Sequence, residues 1–458
     1  ARSRGPVAVG PIAVCPTRSG AYPRRGPRRG ATHRHIPRLS LPAMNTPRIL
    51  RRSAALLLCL LLAACASAPP SQPAEAPYTL LLVSLDGVHP DDLARGDTPN
   101  LARLAREGVA AEWMTPSYPA LTFPNHYTLV TGLRPDRHGL VHNVMLTEEL
   151  GRFTLGNRDA VGDRRWWDDG EPLWVTAENV GIATATLFWP GSEAPVRGVS
   201  PTRWTPFDAS LPKAERVDRV LGWLSEPADT RPRFVTLYFE HPDTAGHNHG
   251  PDSDELREAM RAVDAQIGRL LAGIESRGLA GSVDVVVVSD HGMAEVAEGN
   301  VVAFEDMVDP GDAEPVTFGQ VLGFRPLEGR KAAAEAALLG AHEHHDCWRK
   351  QELPARWHYG SHSRIPPIVC QMHEGWDALP ARFIERRPPG TRGSHGYDPE
   401  LESMRAIFIA SGPSFASGVR LPAFDNVDVY PLLAHLIGVE PLDHDGNPQT
   451  LRPALREP

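Results

Sequence analysis

The sequence predicts an α/β protein: a central, mostly parallel sheet with helices on both faces and an inserted irregular lobe. Three observations carry this. Nearly continuous apolar, β-branched runs recur along the chain, as strands buried on both faces require. Helical patterns lie between them, the alternation that covers such a sheet on both sides. Several runs end in acidic or histidine residues, and ligands of open α/β sheets bind just beyond the carboxyl ends of strands.

The runs are 79–85 (TLLLVSL), entering Asp86-Gly87, and 234–239 (FVTLYF), entering Glu240-His241. Two more are 283–289 (VDVVVVS), entering Asp290-His291-Gly292, and 406–410 (AIFIA), entering Ser411-Gly412. Thr98 is expected to N-cap a helix over 100–106 that Gly108 closes, and 253–277 reads as a long amphipathic helix. Thr122-Phe123-Pro124-Asn125 opens a helical stretch that ends at Gly132, so Thr122 stands at a helix N-terminus with Pro124 in the first turn. Residues 300–395, rich in His, Trp and Pro, are expected to form the irregular lobe. Within them, 342–346 (HEHHD) is read as a solvated loop despite its metal-like composition.

Charge is unevenly distributed. The 458 residues sum to −9, yet residues 1–64 hold twelve Arg, no Lys and no acid. The remainder has 35 basic against 56 acidic side chains, a balance of −21. An acidic body of this kind argues against a nucleic-acid-binding surface. A phosphate substrate must then be attracted locally, by bound cations for example. No protein partner is expected.

The first Met is Met44. Arg48, Arg51 and Arg52 precede the apolar run 54–64, which reads as a secretory signal and is too short to span a bilayer. The run ends in Leu62-Ala63-Ala64-Cys65, similar to the lipobox of bacterial lipoproteins, in which the cysteine is acylated. The expected organisation is an upstream extension over 1–43, a signal peptide over 44–64, a lipidated Cys65 opening a flexible tether to 77, and a single domain over 78–458. The expected location is outside the bacterial cytoplasm, lipid-anchored, with the outer membrane favoured. Cys347 and Cys370 are the thiols left in the body, and are candidates for a disulfide in an exported protein.

Six residues in strand-end or turn contexts would suit a metal centre. Asp243 and His247 are spaced i, i+4 and share a helix face. Asp290 and His291 are adjacent and so belong to a loop. Asp86 ends the first strand. His395 sits in Gly393-Ser394-His395-Gly396, where small neighbours permit close backbone approach. Zinc takes such nitrogen and oxygen donors and leaves a position open for reaction. Thr122 is a nucleophile candidate, since a helix N-terminus favours anions and metal coordination activates a hydroxyl.

The chain resembles the nucleotide pyrophosphatase/phosphodiesterase family of the alkaline phosphatase superfamily. The resemblance rests on SLDG at 84–87, PALTFPNHYTLVTG at 119–132, HGLVHN at 138–143, FWPGSE at 188–193, HPDTAGHNHGP at 241–251, SDHGM at 289–293 and GSHGY at 393–397. These occur in the family's order over roughly 78–445. The resemblance implies an alkaline-phosphatase-like fold and two zinc ions. Asp86, Asp290 and His291, with Thr122, would hold one ion; Asp243, His247 and His395 would hold the other. It implies hydrolysis of phosphodiesters, a nucleotide for example, through a phospho-threonine on Thr122. Asn143 and the Thr122 backbone N–H would hold a nonbridging oxygen, and Phe123 would stack on a base or leaving group. The resemblance would place Phe207 where the family often has Tyr; simple packing in the core is the alternative.

Other readings remain open at this point. A monoesterase of the superfamily typically uses Ser with an added Arg, whereas Thr122 and Asn143 lean toward diesters. A sulfatase would need a modified Cys or Ser in a context that Thr122-Phe123-Pro124-Asn125 does not match. Lipid and choline-ester substrates occur in the family. A non-catalytic binding lipoprotein would be expected to have lost ligand positions, and none is missing.

Overall fold

The strand over Thr79–Leu85 shows how the sheet is buried. Leu80 and Leu82 point into one apolar core, while Leu81, Val83 and Leu85 point into another. Val286 and Val288 against Val285 and Val287 repeat the division one strand over. Alternate side chains on a strand face opposite sides, so an uninterrupted apolar run needs a covered sheet. The structure, a computed structural model, describes residues 78–456. The extension, the signal segment, Cys65 and the tether lie outside the described residues.

In chain order, the first strands of the central sheet are β1 (Thr79–Leu85), β2 (Val109–Ala111), β3 (Thr184–Leu187), β4 (Arg203–Thr205), β5 (Phe234–Phe239) and β6 (Val283–Val288). The lobe follows with β7 (Ala313–Thr317), β8 (Val321–Pro326), β9 (Gly340–Ala341), β10 (His345–Arg349) and β11 (Ile368–Met372). β12 (Phe408–Ser411) and β13 (Val419–Leu421) return to the central sheet. Its spatial order is β13-β2-β12-β6-β1-β5-β3-β4. Pairing is parallel for β1 with β5 and β6, for β3 with β4 and β5, and for β2 with β13. β12 runs antiparallel to β6 and β2. The mostly parallel α/β architecture expected from the sequence is therefore present.

The main helices are α1 (Pro99–Glu107), α2 (Thr122–Thr131), α3 (Lys213–Leu224), α4 (His241–His249), α5 (Asp254–Ser276), α6 (Lys331–Leu338) and α7 (Val429–Ile437). α2 and α7 pack in the first core; α1, α3 and α5 pack in the second. Ser253 caps α5 through its hydroxyl, which accepts from Leu256 N–H. Thr98 stands at the N-cap of α1 but makes no side-chain cap bond. The carboxylate of Asp264 on α5 accepts the Asn100 and Leu101 N–H groups instead. A neighbouring helix thus supplies an anion at the positive end of α1, which local pattern cannot show.

Residues 300–395 are more regular than expected. β7 to β11 form an antiparallel sheet in the order β7-β8-β11-β10-β9. Its strands are short, punctuated by Gly and Pro, and buried unevenly, so no long apolar run announces them. Residues 342–346 are also not simply a solvated loop: His345 lies on β10 and is buried. Cys347 and Cys370 face each other across β10 and β11 and are joined by a disulfide.

Candidate metal centre and active site

The carboxyl ends of β1, β5 and β6 deliver Asp86, the start of α4 and Asp290-His291 to one region. A short antiparallel ribbon, Ala294–Val296 with Arg392–Ser394, brings His395 alongside. Two glycines make the approach possible. Gly87 has φ +71°, and a Cβ there would meet Asp243 Cα at 3.2 Å. A Cβ on Gly393 would meet the Gly246 carbonyl oxygen at 2.5 Å. α4 can therefore sit against both the β1 turn and the His395 segment only where no side chain intervenes.

On α4, the spacing expected to put Asp243 and His247 on one face does so: Asp243 Oδ1 is 3.3 Å from His247 Nε2 and 3.5 Å from His395 Nε2. Around Asp86, His291 Nε2 is 3.5 Å from Asp86 Oδ1, 2.9 Å from Asp290 Oδ2 and 3.4 Å from Thr122 Oγ1. The His291 and His395 rings stack at 3.5 Å, which joins the two groups into one site. The fold therefore brings together Asp86, Thr122, Asp243, His247, Asp290, His291 and His395.

These residues fit a cation on the chemistry of the donor set. Asp86 Oδ1, Asp243 Oδ1 and Asp290 Oδ2 are buried and accept no hydrogen bond, an expensive condition for carboxylate oxygens. His247 Nδ1, His291 Nδ1 and His395 Nδ1 each lie 2.9 Å from a backbone carbonyl oxygen, of Gly393, Gly292 and Ala120. A carbonyl cannot donate, so each Nδ1 carries a proton, and in the neutral ring Nε2 presents a lone pair. This is the orientation that metal-ligating imidazoles receive from their surroundings. His247 Nε2 and His395 Nε2 face each other at 3.0 Å, where two lone pairs repel unless a cation lies between them.

The electrostatics agree. Burial raises the Asp86 carboxyl well above its usual range, and the neighbouring Asp290 and Asp243 raise it further. Burial acts on Asp290 in the same sense, but His291 and His126 outweigh it and hold that carboxyl well below its usual range. Burial, then His291 and His247, push His395 well below the ordinary histidine value, which keeps its imidazole neutral. The site concentrates negative charge that a multivalent cation would neutralise.

Thr122 is the first residue of α2, with Leu121 at the cap, and is 7% exposed. Asn143 Oδ1 accepts the Phe123 N–H at 3.0 Å, which directs the Asn143 amide NH2 away from that bond. Phe123 packs edge-on to Phe153 and tilted to Trp167. Phe207 packs against Phe188 and Tyr238 over the opposite core. The two rings thus sit in different packing groups, and Phe207 is partly buried.

Two contributors escaped the sequence reading. The Tyr238 hydroxyl donates to Asp86 Oδ2, leaving Oδ1 for a cation. His126, fully buried, holds Thr122 O through Nδ1 at 2.8 Å and meets Ser84 Oγ through Nε2 at 2.7 Å. Tyr238 does carry a signal, a polar tip next to the end of a strand that otherwise reads apolar. His126 carries none beyond its place in the motif after Asn125.

Fold and donor set together define a metal-binding α/β hydrolase with an alkaline-phosphatase-like fold. Residues 80–398 match the family model described as type I phosphodiesterase / nucleotide pyrophosphatase. An uncharacterized pyrophosphatase/phosphodiesterase of Schizosaccharomyces pombe is 35% identical, over 82% of this chain and 80% of its own length. The bis(5'-adenosyl)-triphosphatase enpp4 of Xenopus laevis is 32% identical, over 80% of this chain and 79% of its own. Human ectonucleotide pyrophosphatase/phosphodiesterase family member 1 is 33% identical over 84% of this chain, which covers 42% of that protein. Among solved structures, an inactive form of murine ectonucleotide pyrophosphatase/phosphodiesterase 5 in complex with AMP superposes with a TM-score of 0.78 at 32% identity, over 83% of this chain and 100% of that one. The chain belongs to the type I phosphodiesterase / nucleotide pyrophosphatase family. It is a phosphodiester hydrolase.

Proposed function

We propose that this protein hydrolyses nucleotide phosphodiester or pyrophosphate bonds through a covalent phosphoryl group on Thr122, with two zinc ions held by the residues described above. Asp86, Asp290, His291 and Thr122 would hold one ion, and Asp243, His247 and His395 the other. The observation that carries this is the convergence of three unpartnered buried carboxylate oxygens with three imidazoles whose Nδ1–H groups are already committed. Zinc, when bound, lowers the pKa of a coordinated hydroxyl and offsets charge on the transferring phosphoryl group.

The chain's own residues do the rest. His126 and the start of α2 hold Thr122 in place. As a first-turn residue, Thr122 has a backbone N–H with no partner within the helix, and that N–H and the Asn143 amide can both donate to a nonbridging oxygen. Thr122 Oγ1 forms a bond to phosphorus as the bond to the leaving oxygen breaks. The hydroxyl proton leaves to solvent and the departing alkoxide takes one up. Water then displaces Thr122 from phosphorus and restores the hydroxyl. Phe123 offers an aromatic face for a base or leaving group. The name of the solved murine relative supports a nucleotide, since AMP occupies an inactive threonine-to-alanine variant of that protein.

The test is kcat/KM for an aryl phosphodiester against the matching monoester, with zinc supplied. The expected result is a diester preference of at least about tenfold, set by the transition state the site fits best. A monoester preference would leave the fold intact and overturn the reading of Thr122 and Asn143 as marks of diester chemistry. Asn143→Ala is expected to lower kcat/KM for the diester by about 10²–10³-fold, the usual cost of one oxyanion donor. An unchanged rate would show that Asn143 does not touch phosphate.

A further inference from the structure

The lobe carries a second set of nitrogen and sulfur donors that the catalytic residues do not use. Donor atoms of His342, His345 and Cys347 lie within 4.8 Å of one another. We propose that reduction of the Cys347–Cys370 disulfide opens a separate cation site, formed by His342, His345 and the Cys347 thiolate, for a borderline-soft divalent ion such as Zn2+.

Four features support it. His345 is 8% exposed, yet its Nδ1 has no hydrogen-bond partner. A buried ring nitrogen left unpaired is uncommon and calls for an explanation. His342 Nε2 lies 2.8 Å from the Leu338 carbonyl oxygen, so it carries the proton and leaves Nδ1 as a lone-pair donor. The His342 and His345 rings stack at 4.4 Å, which places both imidazoles at one point of the hairpin between β9 and β10. Cys347 is two residues beyond His345 on β10 and so projects from the same face.

The disulfide keeps this set closed, because a sulfur bonded to sulfur is a poor metal donor. A dithiol breaks the Cys347–Cys370 bond by exchange, is itself oxidised to a disulfide, and passes two protons to the released thiols. Metal binding then displaces the Cys347 proton to solvent. Two imidazoles and one thiolate suit zinc, with a fourth position left for water. The set is closed in an oxidising compartment and available in a reducing one.

The experiment uses the full chain, stripped of metal and titrated with Co2+ alone. Cobalt gives a thiolate-to-metal charge-transfer absorption, and the catalytic donors contain no sulfur. After reduction with a dithiol and its anaerobic removal, one Co2+ per chain is expected to bind with this absorption. The oxidised protein should show none. Cys370→Ser leaves Cys347 unpaired and should show the band without reductant. Cys347→Ser should abolish it, and His345→Ala should weaken Co2+ binding at this site at least tenfold. No band in reduced wild-type protein would overturn the proposal, whether or not Cys370→Ser folds. A band that survives Cys347→Ser would overturn it too, by assigning the sulfur to another cysteine.

Discussion

Thr122→Ala is expected to reduce kcat for an aryl phosphodiester by about 10³-fold or more, on the scale seen when a covalent nucleophile is removed, while zinc content changes little. The two parts of this expectation have different causes. Activity falls because the attacking oxygen is removed: Thr122 heads α2, and its Oγ1 is 3.4 Å from His291 Nε2. Zinc stays because the donors provided by Asp86, Asp290 and His291 do not depend on the threonine, which caps no helix and makes no cap bond. The fold should tolerate the change, since Ala is at least as good as Thr inside a helix. Single-turnover kinetics with metal analysis on the same sample would check both parts. Near-normal turnover would remove Thr122 as the nucleophile and leave attack by water on the diester. Loss of one zinc equivalent with the activity would make the hydroxyl an essential ligand.

Asp243→Asn should act in opposite directions on the metal-free and zinc-loaded protein. Asp243 Oδ1 sits 3.3 Å and 3.5 Å from two imidazole Nε2 atoms and accepts no hydrogen bond. Its charge raises the Asp86 carboxyl further above its usual range, so without a cation the two carboxylates oppose each other. Asparagine keeps the shape, removes that charge, and can donate to a His Nε2 lone pair. The metal-free variant is therefore expected to melt higher than metal-free wild type, by about 1–3 °C for a gain near 1 kcal/mol. With zinc, the order should reverse, because ligand binding stabilises the folded state in proportion to affinity. Turnover should fall by at least about 10²-fold, as the supporting charge for one ion is lost. Melting curves with and without zinc give both signs. A metal-free variant less stable than wild type would show that Asp243 serves the fold more than the ion.

Much of the site was legible because its donors follow short local rules. Asp86 and Asp290 sit just past apolar runs, and a parallel sheet gathers the carboxyl ends of its strands in one place. Asp243 and His247 share a face because a helix returns every 3.6 residues. What could not be read locally arises across the chain. Asp264 caps α1 from another helix, and Tyr238 orients Asp86 from the neighbouring strand. The packing of Phe207 with Phe188 and Tyr238 likewise comes from distant segments. The lobe sheet was missed because its strands are short and bound by long-range pairing rather than by any apolar run.

By itself, the sequence determined the α/β class, the strand ends that carry the donors, and the helix that begins at Thr122. Each of these depends on contacts within a few residues or on burial of both faces, and hydrophobic period records both. Only the tertiary structure decided which acceptors go unpaired and which nitrogen of each histidine is free. It also decided which carboxylate is pushed up and which is held down. Those properties depend on backbone carbonyls and charges far away along the chain, 275 residues in the case of Ala120 and His395. No local pattern encodes a partner at that separation, because it is the folded sheet that brings the two together.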